Sequence, residues 1–466
     1  MAVRRYTVSV TTVGPVHIGD GGVYGKRDYF IDKGRVAVLD VKRFTARLNP
    51  DQLGIYLGYL GDSASGNLDE FLTTHSDLRN IARSCIAYET ELRLSKNKRG
   101  EWRYCDVQTF IKDAYGLPYV PGSSVKGALR TALLVSQVKQ GSKKYRDLYP
   151  SKNSLEWRKS RNTDSSIQCE AFRSEGLADS RNDAVNDALK YLSVSDSAPL
   201  SLDDLVFVKK YDQFSKADDA SHKRANPRFG GKAGHGNELN IYRECLKPGV
   251  TFTCDLTIDD RIDDVLCLDT PLDGTALSRV IQQAYDLYAE CFLEHFEIED
   301  AGSKCSAADG RCQYIISSGP LAGMRCRNQA VGGTGYCGKH QDAAGSVSSS
   351  ASTTLYLGGG VDFDSKTVVN VLFDDPAERV EEISKTLYEQ FPSRGEWRRF
   401  PELRRDIQDA GFSPKDGRFF GRKHKDDHRH WRDREFGVSP HTLKMGLLGG
   451  EKLPMGKCNI EIREQQ

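Results

Sequence analysis

"YVPGSSVKGALRTALL" (residues 119–134) sets a proline–glycine break ahead of two serines, then a lysine and an arginine one helical turn apart, then an apolar run. Pro121 and Gly122 interrupt the extended stretch before them, and the spacing predicts a helix that the Ser123 hydroxyl caps. Val125, Ala128, Leu129, Ala132 and Leu133 recur at helical intervals, so one face packs inward and fixes the orientation of the helix. Lys126 and Arg130 then share a second face. Free N–H groups, the positive end of the helix dipole and two cations together make an anion site. An ordinary capped helix with a solvated basic edge is the plainer outcome of the same residues. A nucleotide-binding turn is excluded by residue order. Walker A needs Gly, four residues, Gly, then Lys followed by Ser or Thr, whereas Lys126 precedes Gly127 and Ala128 follows it.

Upstream, "YTVSVTTVGPVHIGDGG" (6–22) alternates apolar and polar residues into a glycine-rich turn, and "RDYFIDKGRVAVLD" (27–40) reads as a hairpin turning at Lys33-Gly34. Phe44 to about Tyr115 is mostly helical in pattern. Gln140 to Asp204 is polar and reads as a mobile insertion with one or two helices, such as "DAVNDALKYLSV" (183–194). Strands return in "LVFVKKYDQF" (205–214) and in "LNIYRECLKPGVTFTCDLTI" (239–258), the latter read as a hairpin hinged at Pro248-Gly249. The stretch between them, residues 215–238, has no hydrophobic stripe and is expected to form a projecting loop. A helix is expected over Leu277–Phe296 and another over Pro376–Gln390. "LYLGGGVDFDSKTVVNVLF" (355–373) has strand character around a triple glycine, and "MGLLGGEKLPMGKCNIEI" (445–462) is a glycine turn and a closing strand. Hairpins and long gaps, rather than regular βα repeats, indicate an α+β fold.

Composition narrows the function. The 466 residues are enough for two or three domains, and 66 Lys and Arg against 65 Asp and Glu leave a net charge of +1. Any nucleic-acid surface is therefore a local patch. The chain has no long apolar run and no signal-peptide core at its start, which reads as a soluble, cytoplasmic protein without membrane contact. In that compartment the 12 cysteines are not disulfide partners, and eight are scattered as small buried side chains. The Asp-Asp pairs that start at 203, 218, 259, 263, 374 and 426 share no spacing and read as solvated turns.

Four glycine-rich turns stand out: "HIGDGG" with His17 and Gly19, "PGSSVKG" with Gly122, Ser123 and Ser124, "LGGG" with Gly358, Gly359 and the nearby Lys366, and "GLLGG…PMGK" with Gly449, Gly450, Lys452 and Lys457. Glycine lets a backbone approach phosphate closely and point its N–H groups at it. Residues 391–436 add 13 Lys and Arg, among them Arg422 and Lys423, interleaved with Trp397, Phe419, Phe420 and Trp431. Cations alternating with aromatic rings suit a single-stranded polyanion.

In chain order, "GPVHIGDGG", "DYFIDKGRVAVLDVKRF", "YVPGSSVKGALRTAL", "LGGGVDFDSKT" and "LLGGEKLPMGKC" resemble the RAMP proteins of CRISPR systems. The set is most similar to the subunit that caps the 3′ end of the guide RNA in the type III-A, or Csm, effector complex. The resemblance covers both ends of the chain and implies two RRM-like (ferredoxin-type) RAMP domains. These are assigned to residues 1–265, with insertions at about 45–115 and 140–235, and 266–466. It also implies a subunit that binds rather than cuts RNA, with crRNA, target RNA, other RAMP and small helical subunits, and a host trimming nuclease as partners. His17 raises the alternative of a RAMP endoribonuclease, since some relatives use a histidine near the N-terminus as general base. An RNA-independent protein-interaction adaptor is the other alternative. Separately from the resemblance, Cys312, Cys326, Cys337 and His340 occur with 13, 10 and 2 residues between them in a Gly-rich segment (305–341). Three thiolates and an imidazole suit tetrahedral structural zinc, with Cys305 as an alternative ligand.

Overall fold

The computed structural model describes residues 2–62, 66–90, 104–149, 163–173, 186–225, 236–298, 339, 353–390 and 433–465. Its strands are β1 (Val3–Thr12), β2 (Gly19–Tyr24), β3 (Tyr29–Asp32), β4 (Arg35–Leu39), β5 (Ile86–Thr90), β6 (Val107–Phe110), β7 (Leu192–Val194), β8 (Leu205–Phe214), β9 (Gly236–Leu246), β10 (Thr251–Asp259), β11 (Thr353–Tyr356), β12 (Thr442–Leu448), β13 (Glu451–Pro454) and β14 (Lys457–Glu464). Helices α1 (Val41–Thr45), α2 (Pro50–Gly61), α3 (Leu68–Thr74) and α4 (Ser76–Arg83) precede β5. The others are α5 (Gly122–Gln140), α6 (Ser142–Leu148), α7 (Thr163–Phe172), α8 (Lys216–Ala225), α9 (Arg261–Val265), α10 (Gly274–Cys291), α11 (Val369–Leu372), α12 (Pro376–Gln390) and α13 (Asp433–Phe436).

The alternation in β1 buries Tyr6, Val8, Val10 and Thr12 on one face. That face is the centre of a five-stranded sheet in the order β11-β14-β1-β10-β7, antiparallel throughout. Taking β1, α5, β7, β10, α10 and β14 in turn gives a βαββαβ unit whose fourth, first, third and second strands lie side by side, the ferredoxin-type order. Helices α5 and α10 cover the buried face, and Val125, Leu129 and Leu133 of α5 meet Leu277 and Ile281 of α10 in the main core. A second sheet runs β13-β12-β8-β9-β6-β2. The third, β3-β4-β5, packs with α1–α4 around its own core of Phe30, Phe44, Tyr56, Leu68 and Leu72. Its β3–β4 hairpin turns at Lys33 and Gly34, both with positive φ, as the sequence predicts.

Four sequence expectations are corrected. The stretch 239–258 is no hairpin: β9 pairs with β8 and β6 while β10 pairs with β1 and β7, so Pro248-Gly249 carries the chain from one sheet to another. The reason is legible in β9, whose Tyr242, Glu244, Cys245 and Leu246 are all buried, as in a strand covered on both faces. Residues 216–225 of the expected loop form α8, with Asp218 and Asp219 buried. "DAVNDALKYLSV" ends as a 3₁₀ turn (Ala188–Tyr191) and β7 rather than a longer helix. In 355–373 strand structure stops at Tyr356, and Val369–Leu372 is a helix. Both larger sheets also draw strands from either side of residue 265, because β14 lies on β1 and β12 on β8. The two halves expected from the sequence are therefore not two separate sheets.

Helix α5 starts differently from its sequence reading. Ser123 is exposed and makes no cap. Instead, the Gly122 N–H donates to Asp196 Oδ1 at 2.7 Å, from the segment that follows β7. Gly122 is required there, since a Cβ would lie 2.2 Å from Val194 O. The negative charge that a helix N-terminus attracts is thus supplied from within the fold. Asp196→Ala is expected to lower the stability of the chain by about 1 kcal/mol and Asp196→Asn by less, measured by thermal or denaturant unfolding.

Candidate functional site

Three of the four glycine turns converge. A cleft of about 400 Å³ lies between α5 and α10. Gly19 lines it from the first turn, Ser123 and Ser124 from the start of α5, and Gly358, Gly359 and Lys366 from the third turn. Its floor is built of small side chains, with Gly127, Ala128 and Thr131 from α5 and Ala284 from α10. Tyr285 and Tyr356 form an aromatic wall, their rings stacked at 6.4 Å and 18°, with Tyr288 edge-on to Tyr356 behind them.

His17 holds the first and third turns together. Its carbonyl accepts the Gly359 N–H at 2.7 Å, and its Nδ1 lies 2.7 Å from Glu244 O. A carbonyl only accepts, so Nδ1 carries the proton and Nε2 is the bare nitrogen. Burial lowers the His17 pKa, and nearby Arg243 adds to this against the opposing hydrogen bond, so the ring is neutral at pH 7. Gly19 leaves Nε2 uncovered, since a Cβ there would come within 2.9 Å of that nitrogen, and Gly358, at φ +84, would place a Cβ 2.2 Å from His17 O. Both glycines are demanded by packing on His17. Beneath them Glu244 is fully buried and accepts from Lys112 Nζ at 2.6 Å, the Phe110 N–H at 2.7 Å and the Tyr88 hydroxyl. Asp20, a carboxylate within the first turn, accepts from the Gly22 N–H at 2.8 Å and from the Thr109 hydroxyl, which turns it back onto the protein.

The two cations of the opening motif face away from the cleft. Lys126 Nζ donates to Leu189 O at 2.8 Å, and burial lowers its pKa. Arg130 pairs with Asp187 at 2.6 Å, donates to Gln168, and lies 4.5 Å from the centre of the Phe172 ring. Both bind the helix to neighbouring chain. The fourth turn is elsewhere: Gly449 and Gly450 join β12 to β13, Lys452 Nζ donates to the Tyr211 hydroxyl at 2.8 Å, and Lys457 opens β14 opposite Tyr356. Arg422, Lys423, Trp397, Phe419, Phe420, Trp431, Cys312, Cys326, Cys337 and His340 lie outside the described residues. Among the described residues, no group of three or more His, Cys, Asp or Glu could hold a metal.

Sequence reasoning missed Gly127 and Tyr285. Gly127 sits inside α5 with no atom within 4 Å of where its Cβ would be, yet glycine in a helix interior costs about 1 kcal/mol relative to alanine. Packing does not require it, and it leaves the cleft floor open. The cleft accordingly offers backbone and hydroxyl groups, one lysine and a tyrosine face, the elements that hold a single-stranded nucleic acid without reading its sequence.

Behind the cleft, Asp362 accepts the Lys444 N–H at 2.8 Å and lies 3.3 Å from the Tyr288 hydroxyl. Burial lifts its pKa from 3.8 to about 7. The folded chain keeps this proton where the unfolded chain has lost it, so stability falls as pH rises between those values. Asp362→Asn is expected to melt with the parent near pH 4 and above it at about pH 8, read from melting curves across that range.

Relatives share this chain's sequence. It is 26% identical over 258 residues to the "CRISPR system Cms protein Csm5" of Streptococcus thermophilus, covering 53% of this chain and 61% of that one, about three fifths of the relative's length. The protein of the same description from Enterococcus italicus is 24% identical over 388 residues, covering 79% of this chain and 80% of that one. One chain of a solved structure, described as "Cryo-EM structure of Csm-crRNA-target RNA ternary complex in type III-A CRISPR-Cas system", shares the fold with a TM-score of 0.56 and 16% identity, over 99% of this chain and 100% of the other. The RAMP superfamily description matches residues 9–268. That match spans more than half of the sequence, and the chain belongs to the RAMP superfamily.

Proposed function

We propose that this protein is a non-catalytic crRNA-binding subunit of a type III-A CRISPR effector complex, capping the 3′ end of the guide and supporting its maturation and the assembly of the complex. The observation that carries the reading is the convergence of three glycine-bearing turns and a tyrosine wall on one cleft. The relatives described as Csm5 and the fold shared with a chain of a Csm–crRNA–target RNA complex support it. The partners in this reading are crRNA, target RNA, other RAMP and small helical subunits, and a host trimming nuclease, all in the cytoplasm. Among the described residues no helix is long and apolar enough to cross a membrane. The βαββαβ unit would be the first RRM-like domain and the β13-β12-β8-β9-β6-β2 sheet the framework of the second.

The outward face of the five-stranded sheet carries Thr7, Ser9 and Thr11 on β1 beside Thr251, Thr253 and Asp255 on β10. None is aromatic, so base stacking falls to Tyr285 at the cleft. Binding without cleavage is supported by His17, whose carbonyl joins two turns and whose ring Nδ1 is held by the Glu244 carbonyl, a structural role.

Purified protein is expected to bind single-stranded RNA with a salt-dependent affinity and to leave guide precursor intact. Tyr285→Ala should weaken binding roughly tenfold, within the range of about 1–3 kcal/mol per stacked base. Gly127→Ala should raise the melting temperature, by up to about 1 kcal/mol in stability, while weakening RNA binding. Lys126→Ala with Arg130→Ala should leave the salt slope unchanged. In the assembled complex, Tyr285→Ala should expose the guide 3′ end to exonuclease. Cleavage of the precursor would point to an endoribonuclease, and assembly without any RNA affinity to an adaptor.

We also propose one structural zinc on Cys312, Cys326, Cys337 and His340, because four ligands of suitable type fall within one short segment. Metal analysis should find about one zinc per chain, lost in a Cys326→Ser, Cys337→Ser variant; unchanged content in that variant would sink the assignment.

A further inference from the structure

On the opposite side of the Gly358–Gly360 turn from the cleft, one face of the second sheet gathers positive charge. Lys444 Nζ lies 3.1 Å and Lys210 Nζ 3.5 Å from Asp212. Arg243, one strand further along, donates through Nε to Gln108 at 2.9 Å. Gly360, at φ +80, comes so close that a Cβ would lie 3.1 Å from the Arg243 guanidinium. The ladder between β8 and β9 shifts register between Lys209 and Tyr211, beside Lys210, and such irregularities re-aim side chains at binding sites.

The charges do not balance. Asp212 is the carboxylate that Lys210 and Lys444 share, and among the described residues Arg243 makes no ion pair. The side chains of Lys210 and Lys444 are only 16% and 21% exposed, so water compensates them poorly. Burial and then the charge of Lys444 lower the Lys210 pKa, and burial lowers that of Arg243. Asp362, the other acid nearby, is spent on the Lys444 backbone N–H and lifted toward neutrality by burial. Partly dry cations without enough counter-charge make a seat for an anion.

We infer that Lys210, Arg243 and Lys444 hold a phosphodiester of the RNA strand after it has left the cleft and crossed the Gly358–Gly360 turn. This rests on the reading of the cleft as an RNA site and extends it by naming where the backbone goes next. The glycine turn is then a bridge with no side chain in the way, and Arg243 supplies a planar fork suited to two phosphate oxygens.

Two probes separate the inference from the reading beneath it: a short RNA oligonucleotide that only fills the cleft, and a longer single strand. In a Lys210→Gln, Arg243→Gln variant that melts near the parent, the longer strand should lose about tenfold or more in affinity. Its log–log salt slope should fall by up to roughly 0.7, the share of the one phosphate these cations hold, and the short oligonucleotide should bind as before. Arg243→Gln alone guards against a folding defect and should lower the affinity for the longer strand and part of that slope. Parent affinity and slope for the longer strand in both variants would overturn the inference while leaving the cleft in place. Failure of the unmodified protein to bind either RNA would overturn the cleft reading and the inference with it.

Discussion

The architecture of the cleft depends on one enclosed histidine. His17 is covalently part of the run between β1 and β2, its carbonyl accepts the Gly359 N–H, and its imidazole donates to the carbonyl of Glu244 near the end of β9. Three segments distant in sequence are fixed at one residue. The neutral ring suits this role, since a buried imidazolium would need a carboxylate that the site lacks at Nε2. Glu244 completes the anchor from below, where Lys112, Tyr88 and the Phe110 N–H satisfy its carboxylate. A buried acid held by three donors stiffens what surrounds it, and the turns above can keep their shape without filling the cleft with side chains.

The cleft stays open for a second reason, the choice of small residues on α5. Its inward face carries Val125, Leu129 and Leu133, while Gly127, Ala128 and Thr131 line the cleft. One helix therefore serves the core with one side and keeps a neighbour's distance with another. Its polar side is equally committed, because Lys126 and Arg130 tie it to residues 187–189. All three faces of the opening motif have work to do, and only the small-residue face meets the cleft.

How much of this could be read in advance follows from where the deciding partners lie. Periodicity located β1, the Lys33-Gly34 hairpin, α5, α10 and α12, since each is a local pattern. It could not tell that the β9 and β10 stretches belong to different sheets, because a Pro-Gly link looks the same in a hairpin and in a crossing. The glycine turns were visible as glycines and three of them do meet, yet the reason for Gly19 and Gly358 is the histidine they wrap and that for Gly122 is the Val194 carbonyl. The partners of the two cations lay beyond any local pattern, because Leu189 is 63 residues from Lys126 and Asp187 is 57 from Arg130. Gly127 carried a local signal, a glycine inside a strong helical pattern, and it was passed over beside the more familiar turn.

A chain with a net charge of +1 binds a polyanion only if some of its cations are withheld from its own carboxylates. Pairing in the described residues shows such a division. Lys112, Arg130, Arg83 and Arg4 are each closed by an acid, at Glu244, Asp187, Asp32 and Asp263. Lys366 at the cleft has only the Gly358 carbonyl, and Arg243 across the turn has only an amide. These two flank the same triple glycine, the place where a backbone can pass most closely. In the proposed RNA reading, the field of these two cations is short-ranged and strongly screened by salt. In that reading, association depends on the geometry of the turn as well as on charge, because a glycine backbone lets a strand approach where a side chain would block it.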